Sequence, residues 1–383
     1  MNQLYRNTEH RIHGLATPYG PQAAARVRAF HESIPGYAMS PLLSLEKLAH
    51  RLGLGAFLLK DESPRFGLNS FKSLGGSYCL ASVMRDRFGL PEEFTFADIL
   101  GADAQARAKM VFVTATDGNH GRGVAWSARM LGAGARVYRP SGSREERVEN
   151  IRKEGAEVTV TACDYDDTVR MATKAAQEKG WILTQDTAWS GYTDYPARIM
   201  QGYQTIGEEI LSQTECVPTH IFLQAGVGSM AASLCAYFRK AYGEEVCICV
   251  VEATAADCLY QTARAGDGKM HATKGNMQTM MAGLCCGEPC TLAAEILLKQ
   301  ADFFVTVTDD VAATGMRTLA RNGDTPVISG ESGAATTGLV VRLMEDPQMQ
   351  EMREAIRLGP DARVLCLSTE GATDRENYAA IVG

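Results

Sequence analysis

The chain is 383 residues long, with 45% hydrophobic and 7% aromatic residues and a formal net charge of −7. That length exceeds one small core, so two domains or two lobes are expected, and the composition is that of an ordinary globular protein. The negative balance argues against broad attraction to nucleic acid or to an anionic membrane, so neither is expected as a partner.

Apolar runs such as residues 246–251 fall far short of a membrane span. Residues 1–11 are polar and lack the apolar core of a signal peptide. There are eleven cysteines. Cys247, Cys249 and Cys366 sit in apolar, strand-like segments and read as buried, reduced thiols. Cys285, Cys286 and Cys290 stand closer together, but no histidine or second cysteine pair has zinc spacing, so no metal is expected. The cytoplasm is the expected compartment.

Residues 56–61 read as a strand, followed by Asn69-Ser70-Phe71-Lys72 and then by helix-forming residues 73–78. A lysine between an aromatic ring and two glycines is oddly placed for a solvated charge. In a partly apolar site its ammonium loses hydration, which lowers its pKa and makes Lys72 a candidate imine-forming nucleophile. Residues 91–107 are acidic, then rich in alanine, and look like an insertion.

Beyond residue 109 short apolar runs alternate with helical patterns. Strands are expected at 110–114, 135–138, 157–161, 181–183, 220–223, 247–251, 303–307 and 363–368. Helices are expected at 119–132, 144–155, 166–179 and 192–212. Strand, glycine-bearing turn, helix, strand is the pattern of parallel α/β units, whose buried strands are continuously apolar. Residues 266–275 are polar and glycine-bearing, and read as an exposed loop or a mobile lid. No repeat or linker separates the lobes, so they belong to one interleaved enzyme.

Several motifs stand at strand ends, where ligands gather in open α/β sheets. Thr116-Asp117-Gly118-Asn119-His120-Gly121 opens a helix, so its amide groups can cap that helix, touch a ligand, or do both. Gln224-Ala225-Gly226-Val227-Gly228-Ser229-Met230 is a glycine loop suited to one phosphate. It lacks the third glycine and the acidic residue of a dinucleotide site, and the lysine of a P-loop. Gln185-Asp186-Thr187-Ala188-Trp189-Ser190-Gly191-Tyr192 brings in a carboxylate, Asp186, that could hold an amine or cap a helix. Residues 328–334 and Leu367-Ser368-Thr369-Glu370-Gly371 complete the set.

A lysine, a strand-end Gly-Asn turn, a monophosphate loop and a late strand-end Ser-Thr pair together point to pyridoxal 5'-phosphate. Their order resembles the tryptophan-synthase β-subunit family, fold type II of the pyridoxal-phosphate enzymes. Lys60-Asp61-Glu62-Ser63, Arg65-Phe66-Gly67-Leu68-Asn69, residues 117–123, Tyr165-Asp166-Asp167-Thr168-Val169-Arg170, residues 185–192 and Met281-Ala282-Gly283-Leu284 further resemble the diaminopropionate ammonia-lyases. That likeness spans roughly residues 40–373.

The resemblance implies a two-lobe fold with open, mostly parallel sheets flanked by helices. A large cofactor-binding domain would comprise residues 1–74 and 197–383, and a small domain, 75–196, would close over substrate. Lys72 would hold the cofactor through an imine. Asn119 would hydrogen-bond its phenolic oxygen, and the backbone N–H groups of Gly226, Val227, Gly228, Ser229 and Met230 its phosphate. Ser368 or Thr369 would face the ring nitrogen. Homodimers are usual in this fold.

Dehydratases of the fold usually carry serine where Asp117 stands and arginine where Leu74 stands. A carboxylate there can attract a second ammonium group or act as a base. The expected reaction is α,β-elimination of 2,3-diaminopropionate through aminoacrylate to pyruvate and two ammonia. Lys72 would take the Cα proton of the L-isomer and Asp117 that of the D-isomer, with Asp186 at the distal amine. The competing expectations are a serine or threonine dehydratase, a non-catalytic ligand-binding protein, and a nicotinamide dehydrogenase.

Overall fold

The computed structural model describes residues 2–8, 18–116, 118–142, 145–163 and 165–383, with residue 166 described by its backbone alone. Asp117, a candidate catalytic residue, lies outside the described residues.

Eleven strands occur among them: β1 (Gln3–Arg6), β2 (Leu42–Ser44), β3 (Ala56–Asp61), β4 (Val111–Ala115), β5 (Gly134–Arg139), β6 (Glu157–Val160), β7 (Ile182–Leu183), β8 (His220–Gln224), β9 (Cys247–Ala253), β10 (Phe303–Val307) and β11 (Arg363–Ser368). They form a seven-stranded sheet, β1-β10-β9-β8-β11-β3-β2, and a four-stranded sheet, β6-β5-β4-β7. The four-stranded sheet is parallel throughout. In the larger sheet only the edge strands run antiparallel, β1 on β10 and β2 on β3.

Helices cover both faces of the large sheet, which is why its central strands carry apolar residues without alternation. In β8 every residue is buried. Its side chains still divide by the pleat: Ile221 and Leu223 join one core, Phe222 the other. The small sheet behaves alike, with Phe112 packed on one side and Val113 on the other. β1 and β2 were not expected, because they are short and half-exposed and leave no apolar run. Cys249 and Cys366 are buried as expected, and burial pushes the Cys366 thiol up to about 12, whereas Cys247 is only half-buried at its strand's start.

Residues 91–107 contain two short helices, Phe96–Gly101 and Ala104–Ala108. Their acidity serves capping. Thr95 and Asp98 form a reciprocal box, and buried Phe96 and Ile99 fill the core beneath. Residues 266–275 lie outside regular secondary structure.

A fully buried cluster of four charges sits where β3 leaves the sheet. Lys60 Nζ donates to Glu209 Oε2 at 2.6 Å, Ser40 O at 2.7 Å and Gln213 Oε1 at 2.8 Å. Arg65 donates to Glu62 at 2.9 and 2.8 Å and to Glu209 at 2.8 and 2.7 Å. Burial alone would raise the Glu209 carboxyl, but hydrogen bonds from Arg65, helped by Lys60, hold it at about 2. Two cations thus face two carboxylates with nearly every polar atom engaged, the condition under which buried charge is tolerated.

The cluster anchors the turn that leads to Lys72. Arg65 opens the single 3-10 turn Arg65–Gly67. Phe66 and Asn69 follow with φ of 51° and 61°, a left-handed backbone that side chains resist. The far end is tied to the last strand: Phe71 N–H donates to Thr369 O at 3.3 Å and Gly371 N–H to Asn69 O at 3.1 Å. The helix Lys72–Phe88 begins there and crosses the helix Asp194–Gln213 so closely that a Cβ on Gly202 would stand 2.4 Å from Leu74 O.

Arg65→Met would leave Glu209 and Glu62 buried with one cation between them. We expect a loss of about 3–5 kcal/mol in unfolding free energy by urea titration. A loss within experimental error would show that the cluster does not anchor this turn.

Candidate active site

Lys72, Asn119, His120, Asp186, residues 224–231, Thr369 and Glu370 line one cavity. They arrive from the carboxyl ends of β4, β7, β8 and β11 and from the turn after β3, the region where α/β sheets place ligands. Ala282, Gly283 and Leu284 close another wall.

Lys72 is half-buried, and its Nζ donates to Asp186 Oδ2 at 2.6 Å. It lies 5.4 Å from the ring of Phe71 and 6.0 Å from that of Tyr203. Burial by itself works to lower the lysine pKa, but the Asp186 carboxylate outweighs it and the net shift is upward. This reverses the depressed lysine expected from the sequence: the apolar surroundings are present, and so is a carboxylate. Burial likewise pushes the Asp186 carboxyl up, while His120 in its protonated form and the Lys72 ammonium bring it down to about 2.

His120 is 4% exposed. Its Nε2 is 2.8 Å from Thr184 O. Its Nδ1 is 3.7 Å from Asp186 Oδ2 and has no hydrogen-bond partner among the described residues. Burial pulls its pKa down, with Asp186 opposing, so the ring is neutral at neutral pH.

Asn119 Nδ2 donates to Glu370 Oε2 at 2.5 Å, and Glu370 Oε1 accepts the Ser332 N–H at 3.2 Å. Gly228, with φ of 98°, caps the helix Ser229–Tyr242, whose first residues line the cavity. Their N–H groups have no acceptor within the helix and sit at the positive end of its dipole. The Ser229 hydroxyl donates to Asp186 O at 2.6 Å, which ties this loop to the carboxylate.

The pleat separates the two hydroxyls at the end of β11. Thr369 lines the cavity and its Oγ1 accepts from Gln224 Nε2 at 3.2 Å. Ser368 is fully buried and its Oγ meets Ser329 Oγ at 2.8 Å. Gln185 is committed to the fold: its amide bonds Thr114, the Ala115 backbone and the Tyr165 hydroxyl.

Several cavity residues had no role in the sequence reading, three charged or titratable ones among them. His120 and Glu370 lay inside the motifs singled out, but their partners are 66 and 251 residues away. Arg147 comes from the polar helix Glu145–Arg152, whose sequence carries no site signal. No group of three or more His, Cys, Asp or Glu side chains is placed to hold a metal among the described residues.

Residues 34–370 match the family model described as pyridoxal-phosphate dependent enzyme. The diaminopropionate ammonia-lyase of Salmonella typhimurium is 48% identical over 366 residues, covering 93% of this chain and 91% of that protein. The diaminopropionate ammonia-lyase of Escherichia coli K12 is 44% identical over 379 residues, covering 97% and 94%. The crystal structure of the Escherichia coli enzyme in complex with an aminoacrylate-PLP azomethine reaction intermediate superposes with a TM-score of 0.91 at 41% identity, covering 100% of this chain and 97% of that one.

The lining fits pyridoxal phosphate. Gly226 leaves no room for a side chain, since a Cβ would stand 3.0 Å from Gly283 O and from Cys286 Sγ. A bare loop therefore opens onto the helix N-terminus, a site for one phosphate dianion. Lys72 stands in the same cavity as a primary amine. Gln224 Oε1 is buried without a partner among the described residues. On sequence, fold and cavity chemistry together, the chain belongs to the pyridoxal-phosphate dependent enzymes and, within them, to the diaminopropionate ammonia-lyase family.

Proposed function

We propose that this protein is a carbon-nitrogen lyase that converts 2,3-diaminopropionate and water to pyruvate and two ammonia, accepting both the D- and L-isomers. The observation that carries the reading is the Asp186 carboxylate, 2.6 Å from the amine of Lys72 in the cavity. A substrate with a second ammonium group needs such an acceptor, and a hydroxy amino acid does not.

Pyridoxal phosphate, when bound, supplies the electron sink for charge left at Cα. The chain's own residues do the rest. Lys72 would hold the cofactor covalently, which would take its charge away from Asp186. Asp186 then accepts the substrate's distal ammonium and holds it where it can depart as neutral ammonia. Lys72 would also be the base that takes the Cα proton of the L-isomer. Asp117 removes that proton from the opposite face in the D-isomer. Both would act as general bases on the same carbon.

Asn119 donates one amide N–H to Glu370 and has a second for the cofactor's phenolic oxygen. The N–H groups of residues 226–230 hold the phosphate. Thr369, the hydroxyl that lines the cavity, would face the ring nitrogen. A hydroxyl partner leaves that nitrogen largely unprotonated, which favours prompt elimination. We assign residues 75–196 as the small domain closing over substrate against residues 1–74 and 197–383, in a cytoplasmic homodimer.

Purified protein offered both diaminopropionate isomers should release pyruvate far faster than from D-serine, L-serine or L-threonine. Faster turnover of a hydroxy amino acid would reassign the substrate. Lys72→Ala should abolish release from every substrate. Asp117→Asn should cut D-isomer turnover by about a hundredfold or more while sparing much of the L-activity. Equal losses on both isomers would refute the two-base scheme.

The Lys72–Asp186 pair also sets an acid limit on stability. A carboxyl held at about 2 in the folded state, against 3.8 ordinarily, stabilises the fold above the ordinary value. That stability is lost as pH falls through the folded value. Between pH of about 5 and about 2, the wild-type apoprotein should lose roughly 2 kcal/mol more unfolding free energy than the Asp186→Asn apoprotein. Parallel pH profiles for the two proteins would contradict the depressed carboxyl.

A further inference from the structure

The contact that positions Lys72 also works against its chemistry. An amine must be neutral to attack a carbonyl carbon, yet the Asp186 carboxylate at 2.6 Å favours the ammonium. The site therefore needs somewhere for a proton to go.

His120 offers that place. A carbonyl oxygen only accepts hydrogen bonds, so the contact with Thr184 O puts the ring proton on Nε2. Nδ1 is left as a lone pair, buried, without a partner among the described residues, and 3.7 Å from Asp186 Oδ2. Two acceptors facing each other across that distance repel. A single added proton turns the repulsion into an ion pair.

We propose that His120 is a proton-storing residue that acts through Asp186: it takes up the proton that Lys72 must lose before its amine can react. The proton leaves Nζ for Asp186 Oδ2, and Asp186 passes it to His120 Nδ1. Lys72 becomes a neutral amine and Asp186 is again a carboxylate. The imidazolium has an acceptor for each N–H, Thr184 O at Nε2 and Asp186 at Nδ1. The trio starts with one cation and one anion and ends with one of each, so the buried site never gains net charge. This rests on Lys72 being the amine that takes the cofactor.

Other groups bear on the ring's titration. Tyr203 lies against Lys72, and Arg147, Tyr165, Cys286 and Glu370 line the same cavity. Lys72 opposes the imidazolium and Asp186 favours it. Asp117 lies outside the described residues. A purely structural histidine would need only its Nε2 contact, and a glutamine side chain also carries an N–H for Thr184 O.

The test compares the apoproteins of wild type and His120→Gln. The rate of pyridoxal phosphate capture is read from the bound cofactor's absorbance, from mildly acidic to mildly alkaline buffer. At neutral pH the variant should be slower by about tenfold or more. The deficit should shrink as pH rises, because hydroxide and buffer then remove the proton. Affinity for 4'-deoxypyridoxine phosphate, which has no aldehyde, should be unchanged. Equal capture rates, a deficit constant with pH, or weakened analogue binding would each overturn the proposal. Failure of wild type to bind the analogue would instead refute the cofactor site beneath it.

A second readout needs no variant enzyme to fold well. In histidine-labelled wild type, the 15N signal of His120 Nδ1 should move to its protonated position on adding pyridoxal phosphate, and should stay put with the analogue. A signal unmoved by the cofactor would overturn the proposal.

Discussion

The buried cluster of Lys60, Glu62, Arg65 and Glu209 is the constraint on which the site depends. Each charge would be costly alone in that interior. Satisfied together, they fix the exit of β3 and leave the chain one short route to the end of β11. That route takes Phe66 and Asn69 into left-handed backbone. Such strain persists only where surrounding contacts over-determine it. Here the ion cluster holds one end of the turn and the Thr369 and Gly371 backbone contacts hold the other. The result is a lysine whose Cα cannot drift, at the start of a helix pressed against Gly202.

Much of the fold was legible in the sequence, for one physical reason. A strand covered by helices on both faces must be apolar throughout, so the central strands announced themselves. β1 and β2 lie at the edge with water on one side and carry three or four residues each. Their pairing is fixed by the strands they lean on, which a local pattern does not record. The acidic stretch near residue 95 was legible as polar but not as a cap, since only the folded backbone shows Asp98 reaching back to Thr95.

The site was legible as a set of parts and less so as a circuit. Lysine, amide turn, phosphate loop and late hydroxyl all carry local signals, and all but Ser368 face the same cavity. The electrostatics did not follow. The partner that turns the Lys72 shift upward is 114 residues further along the chain. Ser368 and Thr369 could not be told apart until the pleat of β11 put them on opposite sides. His120 carried no reading of its own, because its unmatched Nδ1 meets a carboxylate only once β7 brings Asp186 alongside.

The residues that line this cavity come from two different cores. Asn119, His120 and Asp186 follow strands of the four-stranded sheet, whereas Lys72, the glycine loop and Thr369 follow strands of the seven-stranded one. A cofactor held by both groups acts as a mortar between cores that otherwise meet through a few helices. Its binding energy enters the unfolding equilibrium of each core through the same term. Loading therefore couples their melting as well as raising it, so cofactor supply sets how far the chain behaves as one cooperative unit.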